Sequence, residues 1–235
     1  MTQVAANGEV ASLEARVRDV LDRKYHNHLP FNQAMHRGEL WKEQIRGWSA
    51  NRFYYQLMIP VKDSLLLDKL PREYRKIWIT RIHTHDGVDG VDNGEGGIDK
   101  WIALGAAAGI SEAELHDPSN VLPGVKFAVD AYVNFVRDKP WLEAVASSLT
   151  ELSSSHIMSV RTVAFEDHYS WLEPEGLRYF RKRTGQAPKE AQHALAMVSA
   201  HATTPELQDK VVAAVDFKCD VLWALLDAVQ QAFPE

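Results

Sequence analysis

Cysteine is almost missing from this 235-residue chain, in which Cys219 stands alone. An internal disulfide and a thiolate metal cluster are thereby excluded, and Cys219 reads as a packed core thiol. Excess positive charge is missing too. Lys and Arg number 26 against 32 Asp and Glu, a formal charge of −6, the wrong sign for gripping nucleic acid or anionic lipid through a bulk field. No run approaches the roughly 20 apolar residues of a membrane span, and the N-terminus shows no basic segment followed by an apolar one. The chain is therefore expected to be cytoplasmic. No Gly-x-Gly-x-x-Gly follows a strand pattern and no phosphate-binding Gly-Lys-Ser/Thr occurs, so nicotinamide, flavin and nucleoside triphosphates are not indicated. Strand patterning is absent as well, since no alternating run is long enough to compete with helical periodicity.

What is there is helix. With 46% apolar residues the chain can build one sizeable core, and the expectation is an all-α fold, a compact bundle of seven or more helices. A flexible segment 1–10 precedes a single domain, 11–235. Ser12 caps a first helix carrying Leu13, Val17, Val20 and Leu21 inward. A short helix at Phe31 to His36 ends at Gly38, and a long one runs from Trp41 to about Leu70, kinked or interrupted at Pro60. The next spans Arg72 to His85 and gives way to a glycine-rich loop, 87–97, expected to be mobile. Further helices are expected at Ile98–Ala108, Ser111–His116, Pro123–Arg137, Trp141–Phe165, Pro174–Arg183, Pro188–Ala202 and Thr204–Ala232.

Charge interrupts the apolar stripes of these helices. Trp41, Ile45, Trp48, Arg52, Tyr55 and Ile59 recur at helical spacing, which aims the Arg52 guanidinium inward. Val211, Val215, Lys218, Leu222, Leu225 and Val229 form a cleaner stripe with Lys218 in its middle. Tyr74, Trp78, Arg81 and His85 share one face of a third helix. An unpaired charge in a low-dielectric core costs several kcal/mol, so each cation must meet a carboxylate, water or an anionic ligand. Asp63, Asp130, Asp216 and Asp220 are the acids within reach of the ion-pair reading. Arg52, Arg81, Arg161 and Lys218, with His85, Tyr55, Tyr132, Thr150 and Glu151, describe the other reading, an enclosed basic pocket for a small molecule bearing two or three carboxylates.

His85 closes its helix, where the dipole and Asp86 favour the imidazolium, so it is either an acid or base or a cap on the last carbonyls. Ala144, Ser148, Glu151, Ser155 and Met158 make a small, polar stripe that suits either a cavity wall or a tight helix crossing. Tyr132 lies on an apolar stripe and needs a partner for its hydroxyl. Arg178 and Arg181 read as a solvated face. One Glu-x-x-His pair, Glu190 and His193, has the spacing of a di-iron ligand set, but no second pair accompanies it.

Several strings in order resemble one family. They are Arg46-Gly-Trp-Ser-Ala-Asn-Arg-Phe-Tyr-Tyr-Gln56, Ile59-Pro-Val-Lys-Asp63, His85-Asp-Gly87, Phe127-Ala-Val-Asp-Ala-Tyr-Val-Asn-Phe135, Ser147-Ser-Leu-Thr-Glu-Leu152 and Phe217-Lys-Cys-Asp-Val-Leu-Trp223. Together, from Tyr25 to Phe233, the chain resembles the pyrroloquinoline-quinone synthase family. The resemblance implies a haem-oxygenase-like bundle, a homodimer, and no metal or organic cofactor. It implies ring closure and eight-electron oxidation of a tricarboxylated quinoline precursor by molecular oxygen, with release of hydrogen peroxide. Carried over residue by residue, the catalytic set is His85, Arg81, Tyr132, Arg181 and Lys218. The substrate-binding set is Tyr25, His26, Arg52, Tyr55, Gln56, Thr150, Glu151 and Arg161. Arg181 joins by resemblance alone.

Departures from the family pattern fall at Met158, where some members have histidine, and at Leu177, read as the place of a tyrosine. His156 and Tyr179 are the neighbours that could replace them. His28-Leu-Pro-Phe-Asn32 replaces a more histidine-rich string, and Thr84 stands where aspartate is usual. Two alternatives follow: an iron-dependent oxidase centred on Glu190 and His193, and a binding protein that has lost catalysis.

Overall fold

Local signals set the helix ends. Ser12 Oγ accepts the backbone N–H of Ala15 at 3.2 Å and opens α1 (Leu13–Lys24). Pro30 takes the first turn of α2 (Pro30–Arg37), where its missing N–H is harmless, and Gly38 at φ 76° closes it. Then come α3 (Lys42–Lys69), α4 (Arg72–Asp86), α5 (Gly97–Ala107), α6 (Glu112–His116) and α7 (Pro123–Asp138). They are followed by α8 (Trp141–Ala146), α9 (Ser154–His168), α10 (Arg178–His201) and α11 (Pro205–Ala232). This computed structural model describes residues 12–234, so the expected flexible segment 1–10 lies outside the described residues. No strand occurs among the described residues, as the all-α expectation requires. No helix among them is long and apolar enough to cross a membrane.

Three boundaries differ from expectation, each for a local reason. Pro60 does not interrupt α3, which runs through it for 28 residues. The expected helix Trp141–Phe165 is three pieces, because a 3₁₀ stretch, Ser147–Ser153, separates α8 from α9. Serine hydroxyls compete with the backbone ladder there: Ser147 Oγ donates to the Ala144 carbonyl at 2.7 Å and Ser154 Oγ to that of Glu151 at 2.9 Å. The expected break before Pro188 is missing, and α10 is continuous across it. Pro188 cannot donate to the Thr184 carbonyl four residues back. Ser155 Oγ on α9 donates to that carbonyl instead, at 3.1 Å.

α3 packs against α4, α5, α7 and α11, while α11 also covers α1 and the 3₁₀ stretch. Trp48, Trp101, Phe165 and Phe180 form an aromatic centre, with Trp48 and Trp101 centroids 5.4 Å apart. Trp101 Nε1 donates to the Ser49 carbonyl at 2.9 Å, so even the buried indole is satisfied. Trp41, expected on the inward stripe, is 67% exposed because α3 begins only after it.

The loop after α4 is tied down by charge. Asp92 meets Lys182 at 2.7 Å and Lys100 at 3.5 Å, and Glu95 meets Arg178 at 2.6 Å. Its first turn depends on Gly87, at φ 88° and ψ 166°, a region essentially reserved for glycine. A Cβ there would collide with the Gly94 carbonyl oxygen. Gly90 also has positive φ, 82°, but open space around it. Gly87→Ala is expected to cost about 2–4 kcal/mol in urea unfolding, and Gly90→Ala about 1–2 kcal/mol. Equal losses would contradict the crowding at Gly87.

Candidate functional site

Two kinds of buried or half-buried cation line the interior between α3, α4, α9, α10 and α11. The first kind is matched by carboxylates. Arg81 on α4 holds Glu151 through two bonds, at 3.0 and 2.5 Å, with Glu190 at 3.7 Å and Asp63 at 3.9 Å. Arg183 on α10 holds Glu190 at 2.8 Å, and Lys62 on α3 holds Asp63 at 2.6 Å. Asp63 also accepts from Trp78 Nε1 at 2.9 Å. Burial pushes the Glu151 carboxyl up, but the Arg81 and Arg183 guanidiniums outweigh it and hold the group below the usual carboxylate range.

The second kind has no carboxylate. Lys218 on α11 is 1% exposed; its ammonium donates to the Tyr55 hydroxyl at 2.8 Å and sits 3.3 Å from the centroid of the Tyr132 ring. Arg52 stacks on Tyr55 at 3.8 Å and leaves its Nη1 buried without a hydrogen-bond partner. Arg161 on α9 lies over Trp48 at 5.1 Å, donates only to the Asn32 side chain at 2.9 Å, and leaves Nε unpartnered. Aromatic faces thus stand where acids would be expected. Burial, then Arg52 and Lys62, drive the Lys218 ammonium well below its ordinary value. Burial and Arg52 bring Arg161 down to about 10. The acids weighed as partners are used elsewhere: Asp216 and Asp220 hold Lys24, and Asp130 accepts from the Tyr54 hydroxyl.

The remaining groups surround these cations. Tyr25 and His26 are buried with their rings 4.4 Å apart. Gln56 accepts from the Tyr179 hydroxyl at 3.1 Å, and Tyr55 stacks on Tyr132. Thr150 is buried beside Glu151 in the 3₁₀ stretch. His85 is buried, with Nδ1 3.0 Å from the Arg81 carbonyl. A carbonyl only accepts, so Nδ1 carries the hydrogen and Nε2 is left bare in the neutral ring. The expected stabilisation of the imidazolium is not what the surroundings give: burial, then Arg183, lower the pKa of His85. A cavity of about 240 Å³ abuts the site, with His85, Gly97, Tyr179 and Arg183 in its wall.

Arg181 is not in this assembly. Its side chain is 43% exposed and pairs with Glu166 at 2.7 Å, which agrees with the solvated face read from the sequence and leaves the role implied for it by resemblance without a place. Arg183, two residues on, occupies the interior because α10 turns that face inward. Leu177 lies in the apolar core and Met158 is buried. Tyr179 turns its phenol inward to Gln56, whereas His156 is exposed. Glu190 is engaged by arginines and His193 is exposed, both in the wall of a cavity of about 400 Å³ that Arg81 also lines. No cluster of three or more His, Cys, Asp or Glu suited to a metal occurs among the described residues.

Sequence reasoning missed Lys62, Asn32 and Arg183 as site residues and reached Tyr179 only as a stand-in for Leu177. Lys62 was within reach of it, three residues beyond Ile59 on the stripe that carries Arg52. Asn32 gave no periodic signal, since α2 is too short to show one.

The TENA/THI-4/PQQC family model matches residues 14–228. A pyrroloquinoline-quinone synthase of Pseudomonas entomophila is 48% identical over 210 residues, 89% of this chain and 82% of that protein. One of Cronobacter sakazakii is 47% identical over the same shares. A haem-oxygenase-like domain of unknown function from Shewanella denitrificans superposes with a TM-score of 0.75 over 94% of this chain and 91% of its own, at 16% identity. A TenA homologue from Pseudomonas syringae gives 0.73 over 98% of this chain and all of its own, at 14% identity. The fold is haem-oxygenase-like.

Unmatched burial has a thermodynamic signature. A lysine whose folded pKa is depressed weakens the fold at neutral pH, and the penalty fades as pH rises towards the ordinary value of 10.5, above which both states are neutral. Lys218→Met is therefore expected to stabilise the unliganded protein at pH 7 by about 1–3 kcal/mol. The advantage should shrink as pH approaches 10.5. A destabilised variant, or a pH-independent difference, would show that Lys218 has a counter-ion.

Proposed function

The chain belongs to the TENA/THI-4/PQQC family, and on that premise we propose that it is a pyrroloquinoline-quinone synthase. It closes the last ring of a tricarboxylated quinoline precursor and oxidises the product with molecular oxygen, releasing hydrogen peroxide. One observation carries the reading: Arg52, Arg161 and Lys218 are brought together with no carboxylate to balance them. Three cations match three carboxylates, and arginine suits planar bidentate anions. The similarity to curated synthases supports the same substrate class. The Arg183 guanidinium on Glu190 favours this reading over the iron-dependent alternative. Catalysis needs no metal or organic cofactor in this reading, and the protein acts in the cytoplasm as a homodimer.

The residues divide the work. Arg52, Arg161 and Lys218 hold the carboxylates and stabilise negative charge as it grows on the quinone oxygens. Holding the precursor by three points brings its amine against an electron-poor ring carbon, which supplies ring closure through proximity. His85 presents a bare Nε2 and removes protons from the closed ring. Each deprotonation leaves an electron-rich carbanion that passes electrons to oxygen, eight in total. Tyr179 and Gln56 link the cavity beside His85 to the carboxylate clamp. Burial, and then Arg183, keep His85 neutral and hence competent as a base.

The test is anaerobic incubation with precursor, followed by air. Quinone absorbance and peroxide should appear together; binding of the precursor without oxygen consumption would favour the non-catalytic alternative. Because Lys218 gains a carboxylate partner, its pKa should rise on binding, so calorimetry in buffers of different ionisation enthalpy should record proton uptake at pH values between its depressed free pKa and its bound pKa. His85→Asn should lower turnover about 100-fold or more. The depressed His85 pKa keeps the base form present into acid, so the acid limb of kcat/KM should lie below the ordinary 6.5. A limb above 6.5, or normal turnover in the variant, would remove His85 from the reaction.

A further inference from the structure

Asn32 on α2 is fully enclosed and uses both ends of its amide. Its Oδ1 accepts from Arg161 Nη2 at 2.9 Å. Its Nδ2 donates to the His26 carbonyl at 2.8 Å and lies 2.7 Å from His26 Nδ1. A guanidinium can only donate, so the amide oxygen must be the end that faces Arg161, and the amide nitrogen the end that faces His26. Nδ1 of His26 therefore accepts. The neutral ring carries its single proton on Nε2, which has no hydrogen-bond partner among the described residues. One side chain thus governs two functional groups that arrive from different elements, Arg161 from α9 and His26 from the 3₁₀ turn after α1.

We propose that Asn32 is a positioning residue of the carboxylate clamp, aiming Arg161 and locking His26 in the Nε2–H tautomer, so that both present only donors to an anionic substrate. The proposal rests on the reading that this cluster binds the tricarboxylated quinone. In the opposite tautomer His26 would turn a bare lone pair towards carboxylate oxygens and repel them. An aspartate at position 32 would have the same shape and the wrong chemistry. It would accept from His26 Nδ1–H, reversing the tautomer, and it would give Arg161 the counter-ion that the ligand otherwise supplies. A histidine at position 32 could preserve the logic, because a neutral imidazole has one donor and one acceptor nitrogen.

The experiment has two arms. In the first, ¹⁵N-imidazole NMR of the full chain without ligand reads the proton position on His26, assigned by the signal lost in His26→Gln. The wild type should show a protonated Nε2 and a bare Nδ1, Asn32→Asp a protonated Nδ1, and Asn32→His the wild-type pattern. In the second, titration with pyrroloquinoline quinone should show affinity falling roughly tenfold to a hundredfold in Asn32→Asp and within about threefold of wild type in Asn32→His. A wild-type His26 protonated on Nδ1 would overturn the proposal, as would an Asn32→Asp variant that binds the quinone as tightly as wild type. Absence of quinone binding in the wild type would instead defeat the functional reading, and the NMR arm would still decide the tautomer. If Asn32→Asp fails to fold, the wild-type and Asn32→His spectra decide between the outcomes.

Discussion

The uncompensated charge of Arg52, Arg161 and Lys218 is the constraint on which the rest of the structure depends. Folding buries Arg161 and Lys218, and half-buries Arg52, without acids, at a cost that protein interiors normally avoid. The neighbouring cations show what avoidance looks like: Lys62, Arg81 and Arg183 are each matched by Asp63, Glu151 or Glu190. The same interior contains both solutions side by side. A protein selected for stability alone would have no reason to leave three interior cations unmatched, whereas a protein that binds a trianion gains affinity from that imbalance.

The surroundings of the three cations make the imbalance tolerable without cancelling it. Tyr55, Tyr132, Trp48 and Phe180 turn ring faces to them, an interaction worth about 0.5–2 kcal/mol and readily surrendered to a carboxylate. The matched half does different work. Arg81, fixed by Glu151 and Glu190, offers its carbonyl to His85 and so sets which nitrogen of that ring is bare. Matched charges thus orient the base, and unmatched charges await the substrate. The 3₁₀ stretch between α8 and α9 joins the two halves, since it brings Glu151 to Arg81 while α9, which follows it, carries Arg161.

Much of this was legible in the sequence. Helical phase alone placed Arg52 and Lys218 on inward stripes, and it marked His85 and Arg81 on one face of α4. Phase failed where the backbone left the regular helix or where a boundary was misplaced. Across Ser147–Ser153, serine hydroxyls tighten the helix and change the rotation per residue, so counting brought Thr150 and Glu151 to the site but did not show that Glu151 pairs with Arg81. On α10, a break expected at Pro188 hid a continuous helix, and with it the inward face of Arg183; resemblance then pointed to Arg181, which the structure places on the surface. Asn32 was invisible because its role is made of three hydrogen bonds converging from separate segments, and no pattern within α2 encodes them.

The location of the bound substrate tests the central claim most directly. A crystal structure of the complex with pyrroloquinoline quinone is expected to place its three carboxylates within hydrogen-bond distance of Arg52, Arg161 and Lys218, with the ring system between Tyr55, Tyr132 and His85. A quinone lodged instead in the cavity of about 240 Å³ beside Thr84 and Lys182, leaving those three cations untouched, would contradict it.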